Sequence, residues 1–174
     1  MKKNLLVLSV MGFILMVSAQ SSFAAHTRVT YPSSVSAEVL GRGIFGGVYF
    51  DQVVSDQLAV GVGYGFTTTK FEGTDTDTGK KAHLIPVYMS YYFMKEAGSV
   101  YATAGVDVAA NVSDVKYTES TIGGVKFSSS PVLPVFGIGY ENRTDTGFLF
   151  RVAGYGIVGK KLAPWLGFQF GVAL

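Results

Sequence analysis

The sequence predicts an all-β fold, an eight-stranded antiparallel up-and-down transmembrane β-barrel. Three observations predict it. Segments of about ten residues alternate large apolar side chains with small or polar ones, the period-two signature of strands of bilayer-crossing length. Charged residues make up only 15% of the chain, against about 25% in an average soluble domain, while aromatics reach 14% and glycine 22 residues. Short turns also alternate with longer polar loops, as in barrels whose two ends face different compartments.

The N-terminal residues come first. Lys2 and Lys3 form a positive region, residues 5–17 are an apolar run, and Ser22-Phe23-Ala24 offers small residues at −3 and −1. Residues 1–24 therefore read as a signal peptide cleaved after Ala24, and 25–174 as one barrel domain. An uncleaved anchor is the alternative, but the apolar run is short for a spanning helix. Removing Lys2 and Lys3 lowers the 14 basic residues to match the 12 acidic ones. A neutral mature chain gives no reason to expect a nucleic-acid partner. With 0 cysteines there is neither a disulfide framework nor a lipid-attachment thiol, which suits an exported bacterial envelope protein.

The strands follow in order. In 35–40, Val35, Ala37 and Val39 share one face and Glu38 takes the other; after Gly41-Arg42-Gly43 the phase reverses to Ile44, Val48 and Phe50. A reversal needs a turn or a bulge, which glycine permits, so 35–40 is expected as a separate first strand and 44–52 as the second. In 57–68, Leu58, Val60, Val62, Tyr64 and Phe66 alternate with Ala59 and three glycines. The segment 82–94 carries Ile85, Val87, Met89, Tyr91 and Phe93 on one face, and 99–112 carries Val100, Val106 and Val108 among alanines. The remaining strands are expected at 126–141 (Pro134, Phe136, Ile138, Tyr140), 147–158 (Phe148, Phe150, Val152) and 165–174.

Which face is inside decides between water and lipid. A soluble barrel of the lipocalin kind would place Lys, Glu and Thr outward and large apolar residues within. Here the second face is mostly Gly, Ala, Ser and Thr with isolated charges, suited to a narrow lumen, and the continuous apolar face suits lipid. Short turns are expected at 51–56, 95–99 and 142–146, and polar loops at 67–81 (TTTKFEGTDTDTGKK), 113–124 (SDVKYTESTIGG) and 159–164. Phe50, Phe93, Tyr140 and Phe148 beside the short turns would form an interfacial girdle.

The runs HLIPVYMSYYF (83–93), GIGYENRTDTGFLFR (137–151) and APWLGFQFGVAL (163–174) resemble the small bacterial outer-membrane β-barrels, the OmpX and OmpA transmembrane-domain class. The likeness is one of pattern over most of the mature chain. It implies an eight-stranded barrel in the cell outer membrane, a monomer with lipid and lipopolysaccharide as partners. It also implies insertion by the barrel-assembly machinery through a C-terminal strand signal, here Leu166, Phe168, Phe170, Val172 and Leu174. Such signals usually end in Phe or Trp, whereas this chain ends in Leu174. The class has no single activity, so the resemblance adds fold and location rather than chemistry.

Motifs for chemistry are sparse. GRGIFG (41–46) fits G-x-G-x-x-G, but strand-like residues follow it where a dinucleotide site needs a helix. DTDTG (75–79) begins like a calcium loop yet lacks the later ligands, including a bidentate Glu, so no metal is expected, and no cofactor either. His26 lies near the mature N-terminus. His83, at the start of a strand under the first long loop, is the one candidate base for an outer-leaflet lipid A-modifying enzyme; Ile85 stands where such enzymes place Ser, and an interfacial polar role fits His83 better. Glu38, Arg42, Asp51, Asp107, Glu141 and Arg151 fall on the inward face as a lumen charge network, with Arg151 and Glu141 placed to pair. The sequence therefore points to a non-enzymatic barrel that displays its loops; a narrow passive channel and a lipid-modifying enzyme are the alternatives.

Overall fold

The alternating segments become strands that pair into a closed ring. The structure, a computed structural model, describes residues 27–70, 80–110, 120–122, 125–127, 132–158 and 162–174. The signal peptide assigned to 1–24, His26 and the DTDTG stretch at 75–79 lie outside these. One helical turn, α1 (Thr27–Thr30), precedes β1 (Ser33–Leu40) and β2 (Gly46–Ser55). Next come β3 (Leu58–Lys70), β4 (Lys80–Tyr92) and β5 (Gly98–Ala110), then two short strands, β6 (Ser120–Ile122) and β7 (Val125–Phe127). The chain finishes with β8 (Val132–Arg143), β9 (Phe148–Val158) and β10 (Leu162–Ala173).

Every long strand pairs antiparallel with its neighbours in the chain, and β1 closes the ring on β10 from Ser34↔Ala173 to Leu40↔Gly167. The result is an eight-stranded up-and-down barrel. Closure removes the unpaired edges that an open sheet would expose. Three short turns, 56–57, 93–97 and 144–147, share one end with the start of β1 and the end of β10. We call this the turn end, and the opposite one the loop end.

The large apolar side chains point outward. Val62, Phe66, Val87, Met89, Phe136, Ile138, Leu166, Phe168, Phe170 and Val172 are all exposed, and Ile138 reaches 61%. The inward positions are mostly small, aromatic or charged, with a few aliphatic side chains such as Leu84, Leu133 and Ile157. Glycine is needed inside because tyrosine rings lie flat against the neighbouring strands. A β-carbon on Gly61 would collide with the Tyr88 ring, and one on Gly137 would come 2.7 Å from Tyr155 Cδ1. Both are closer than side-chain packing tolerates, so a ring and a glycine share the volume of two ordinary residues.

Four details differ from the sequence reading. Ile44 is not an outward residue of a strand: it sits in the 41–45 turn at φ 66°, only 2% exposed, and folds over the loop-end mouth of the lumen. A β-branched residue in the left-handed region is strained by about 1–3 kcal/mol, which burial of the side chain offsets. The expected strand 126–141 is divided, with Val125–Phe127 pairing back on Ser120–Ile122 and β8 beginning only at Val132. Polarity made 67–81 and 113–124 read as loops, yet β3 continues to Lys70, β4 starts at Lys80, and β6 pairs with β3 at Thr69↔Ile122. Runs of Thr favour extended backbone whether or not lipid surrounds them. Finally, β10 starts at Leu162 rather than 165, passing through Pro164 near its start. Residues 71–79 and 111–119 fall outside the described residues.

The GRGIFG run forms the β1–β2 turn and enters strand directly, so it offers no helix N-terminus to a phosphate.

The candidate functional site: a charged lumen closed at both ends

Inward parity and register build the site. Glu38 pairs in register with Gln169, Gln169 with Arg151, Arg151 with Glu141, and Glu141 with Ser99. One belt of polar side chains thus runs across β1, β10, β9, β8 and β5. All six charges expected inside are buried: Glu38, Arg42, Asp51, Asp107, Glu141 and Arg151 are each 3% exposed or less.

Three of the six meet near the turn end. Arg151 Nε donates to Glu141 Oε2 at 2.5 Å, and its Nη1 donates to Asp51 Oδ2 at 2.8 Å and to Gln169 Oε1 at 3.2 Å. Its Nη2 donates to the Tyr92 hydroxyl, which in turn donates to Glu141 Oε2 at 2.6 Å. Tyr88 completes Asp51 by donating to Oδ1 at 2.9 Å.

A second group lies towards the loop end. Tyr155 donates to Glu38 Oε1 at 2.9 Å, and the Arg42 backbone N–H donates to Oε2 at 3.0 Å. The Arg42 guanidinium stacks 3.4 Å from the Tyr88 centroid and donates to Thr103. Asp107 stands apart: its Oδ2 is buried without a hydrogen-bond partner.

Two arginines that the sequence reading did not single out complete the turn end. Arg143 Nε donates to Glu141 Oε1 at 2.8 Å, and Arg28 Nε reaches the same oxygen at 3.2 Å. Arg28 comes from α1, outside the barrel wall. It enters the mouth over the Tyr92 ring and donates to the carbonyls of Met94 and Glu96 at 2.8 and 2.6 Å. Arg143 Nη1 holds the Tyr31 carbonyl, fixing the same segment. Arg143 follows Glu141 by two on β8 and so shares its parity, but the polar composition of 142–146 is that of a turn and hides it. Arg28 precedes all periodicity and carried no signal.

Among the described residues the buried charges are four arginines (28, 42, 143, 151) and four carboxylates (38, 51, 107, 141). Burying ions is tolerable only with such balance and with nearly every polar atom paired. Beside the second group, Ile44, Leu84, Leu133, Val135 and Ile157 form an apolar cluster at the loop end with Trp165 against them. The Trp165 indole turns inward and donates to the Ile44 carbonyl at 3.1 Å rather than lying along the outer interface.

His83 lies away from this network, on the outward face of β4. It stacks on Tyr64, with ring centroids 5.6 Å apart, and its Nδ1 shares a hydrogen bond with the Tyr64 hydroxyl.

No family model matches the chain, and no curated protein matches it. Among solved structures it is similar to the crystal structure of the N-terminal β-barrel domain of Pseudomonas aeruginosa OprF, with a TM-score of 0.52 and 15% identity. The match covers 81% of this chain and 97% of that one. At such identity the likeness speaks for the fold alone, and it agrees with what the geometry gives: this chain has the fold of the small outer-membrane β-barrels, eight strands with the large apolar side chains outside and a charged lumen within.

Proposed function

We propose that the chain is a non-enzymatic integral protein of the outer membrane, cleaved after Ala24, whose barrel anchors the polar segments at its loop end for contact with lipopolysaccharide, surfaces or other proteins. The observation that carries this reading is the inverted pattern, with exposed Phe and Val side chains around a lumen holding four buried arginines. In water that outer face would be an aggregation site far larger than the few hundred Å² a soluble monomer exposes; in lipid it is the solvated face. Assembly through the C-terminal strand, with Leu166, Phe168, Phe170, Val172 and Leu174 outward, belongs to the same reading.

The closed lumen argues against a passive channel. Arg28 with its partners fills the turn end, and the Ile44–Leu84–Leu133–Ile157 cluster fills the loop end. His83 has a phenol for a partner, where a hydrolase would set a serine and an orienting carboxylate, so its surroundings do not favour lipid A modification. The test is fractionation with unboiled gel mobility: the chain should sediment with outer membranes and migrate differently before and after heating. Recovery from the soluble periplasm would refute the proposal, and steady conductance steps in a planar bilayer would restore the channel.

A further inference from the structure

We propose that Tyr64 and His83 form an outward-facing site for the phosphate of a lipid headgroup at the loop-end boundary of the membrane. The inference rests on the membrane reading above and adds a ligand to it.

The chemistry follows from a count of donors. Tyr64 and His83 are hydrogen-bonded to each other through the hydroxyl and Nδ1. If the hydroxyl donates, the imidazole proton sits on Nε2 and has no partner among the described residues. If Nδ1–H donates instead, the phenolic O–H has none among them. In either tautomer the pair keeps one donor that no described residue takes up. An unmatched donor facing hydrocarbon costs several kcal/mol. Such a pair belongs at the headgroup boundary of a lipid-facing wall, where a lipid phosphate is an anionic acceptor within reach.

Its depth fits that requirement. On β4 the outward residues between His83 and Phe93 are Ile85, Val87, Met89 and Tyr91, all exposed. At about 3.3 Å per residue and a tilt of about 40°, the rise from His83 to Phe93 is roughly 25 Å, the height of the apolar band of such barrels. With the exposed Tyr91–Phe93 ring pair at one boundary, His83 falls at the other. On β3, Val60 and Val62 lie within the band and Tyr64 is the first outward hydrogen-bonding side chain above them. The phenol and imidazole planes are inclined by only 30°, so the two rings stack and present their polar atoms as one unit.

The test uses the folded full-length mature chain, labelled with 15N-histidine, in dodecyl maltoside micelles. Phosphatidylglycerol and, separately, inorganic phosphate at matched concentration are the probes. The His83 ring nitrogens should shift with phosphatidylglycerol and not with inorganic phosphate, while His26 stays unmoved. His83→Phe, which keeps an aromatic ring on the wall, should retain phosphatidylglycerol about tenfold less well, the worth of one charge-assisted hydrogen bond. No shift, an equal shift with inorganic phosphate, or unchanged retention by His83→Phe overturns the site. Contacts from Val62 and Ile138 methyls to micelle acyl chains report the membrane reading independently. Their absence sinks that reading, and their presence beside an unmoved His83 sinks only the headgroup site.

Discussion

Replacing Glu141 by Gln tests the charged lumen at its most connected point. Glu141 is fully buried and accepts from Arg28, Arg143, Arg151 and Tyr92. Glutamine keeps the shape but removes the charge and sets an NH2 group against donors on one side. The four-to-four balance of buried charges becomes four to three, with Arg28, Arg143 and Arg151 at the turn end facing one remaining carboxylate, Asp51, which only Arg151 contacts. Removing one member of a buried pair costs about 3–5 kcal/mol, a large part of a typical total of roughly 5–15 kcal/mol. Urea unfolding from lipid vesicles measures it, read by the fluorescence of the single tryptophan, Trp165, whose indole is fixed at the far end of the lumen. With a slope of about 1–3 kcal/mol per molar urea, the midpoint should fall by roughly 2 M. Adding Arg143→Gln restores the balance and removes a guanidinium whose Nη2 has no partner. The double variant should recover about 1–3 kcal/mol relative to additivity. A loss under about 1 kcal/mol for Glu141→Gln, or strict additivity, would show that these charges are hydrated rather than paired.

Other perturbations address separate parts of the fold. Arg28→Ala frees the carbonyls of Met94 and Glu96, so hydrogen exchange in the 93–97 turn should rise while the barrel loses only about 1–3 kcal/mol; unchanged exchange there would mean α1 does not close the mouth. Gly61→Val drives a branched side chain into the Tyr88 ring, and overpacking of this kind costs about 1–3 kcal/mol, visible as a lower temperature for the gel-mobility change. Ile138→Arg separates lipid from water as the outer solvent: on a lipid-facing wall near mid-depth it costs about 2–4 kcal/mol, whereas at an exposed position in water it stays within about 0.5 kcal/mol. Unfolding of this variant in vesicles decides between the two, and a negligible cost rules out lipid contact at β8.

Much of this was readable along the chain because a strand has a period of two. Once Val60 and Val62 are on one face, Ala59 and Gly61 must be on the other, and the same parity put Glu38, Asp51, Asp107, Glu141 and Arg151 inside. Antiparallel hairpins with short turns then brought Arg151 opposite Glu141, since both count back from the same turn. The reading failed where the chain leaves its period. Ile44 looked like a strand residue until a five-residue turn with positive φ folded it over the lumen, and the Thr- and Lys-bearing ends of β3 and β4 looked like loop because polarity there reports on water rather than on backbone conformation.

What the sequence determined by itself was therefore the strand barrel and its orientation, because alternation, strand length and turn spacing are local properties and the small residues of the second face fit only a narrow lumen. What only the tertiary structure decided was who meets whom across the lumen. Asp51 reaches Arg151 from across the barrel, two further arginines crowd onto Glu141, Arg28 enters from outside the wall, and Tyr64 finds His83. Those contacts depend on stagger and closure of the whole ring, and no window of sequence contains them.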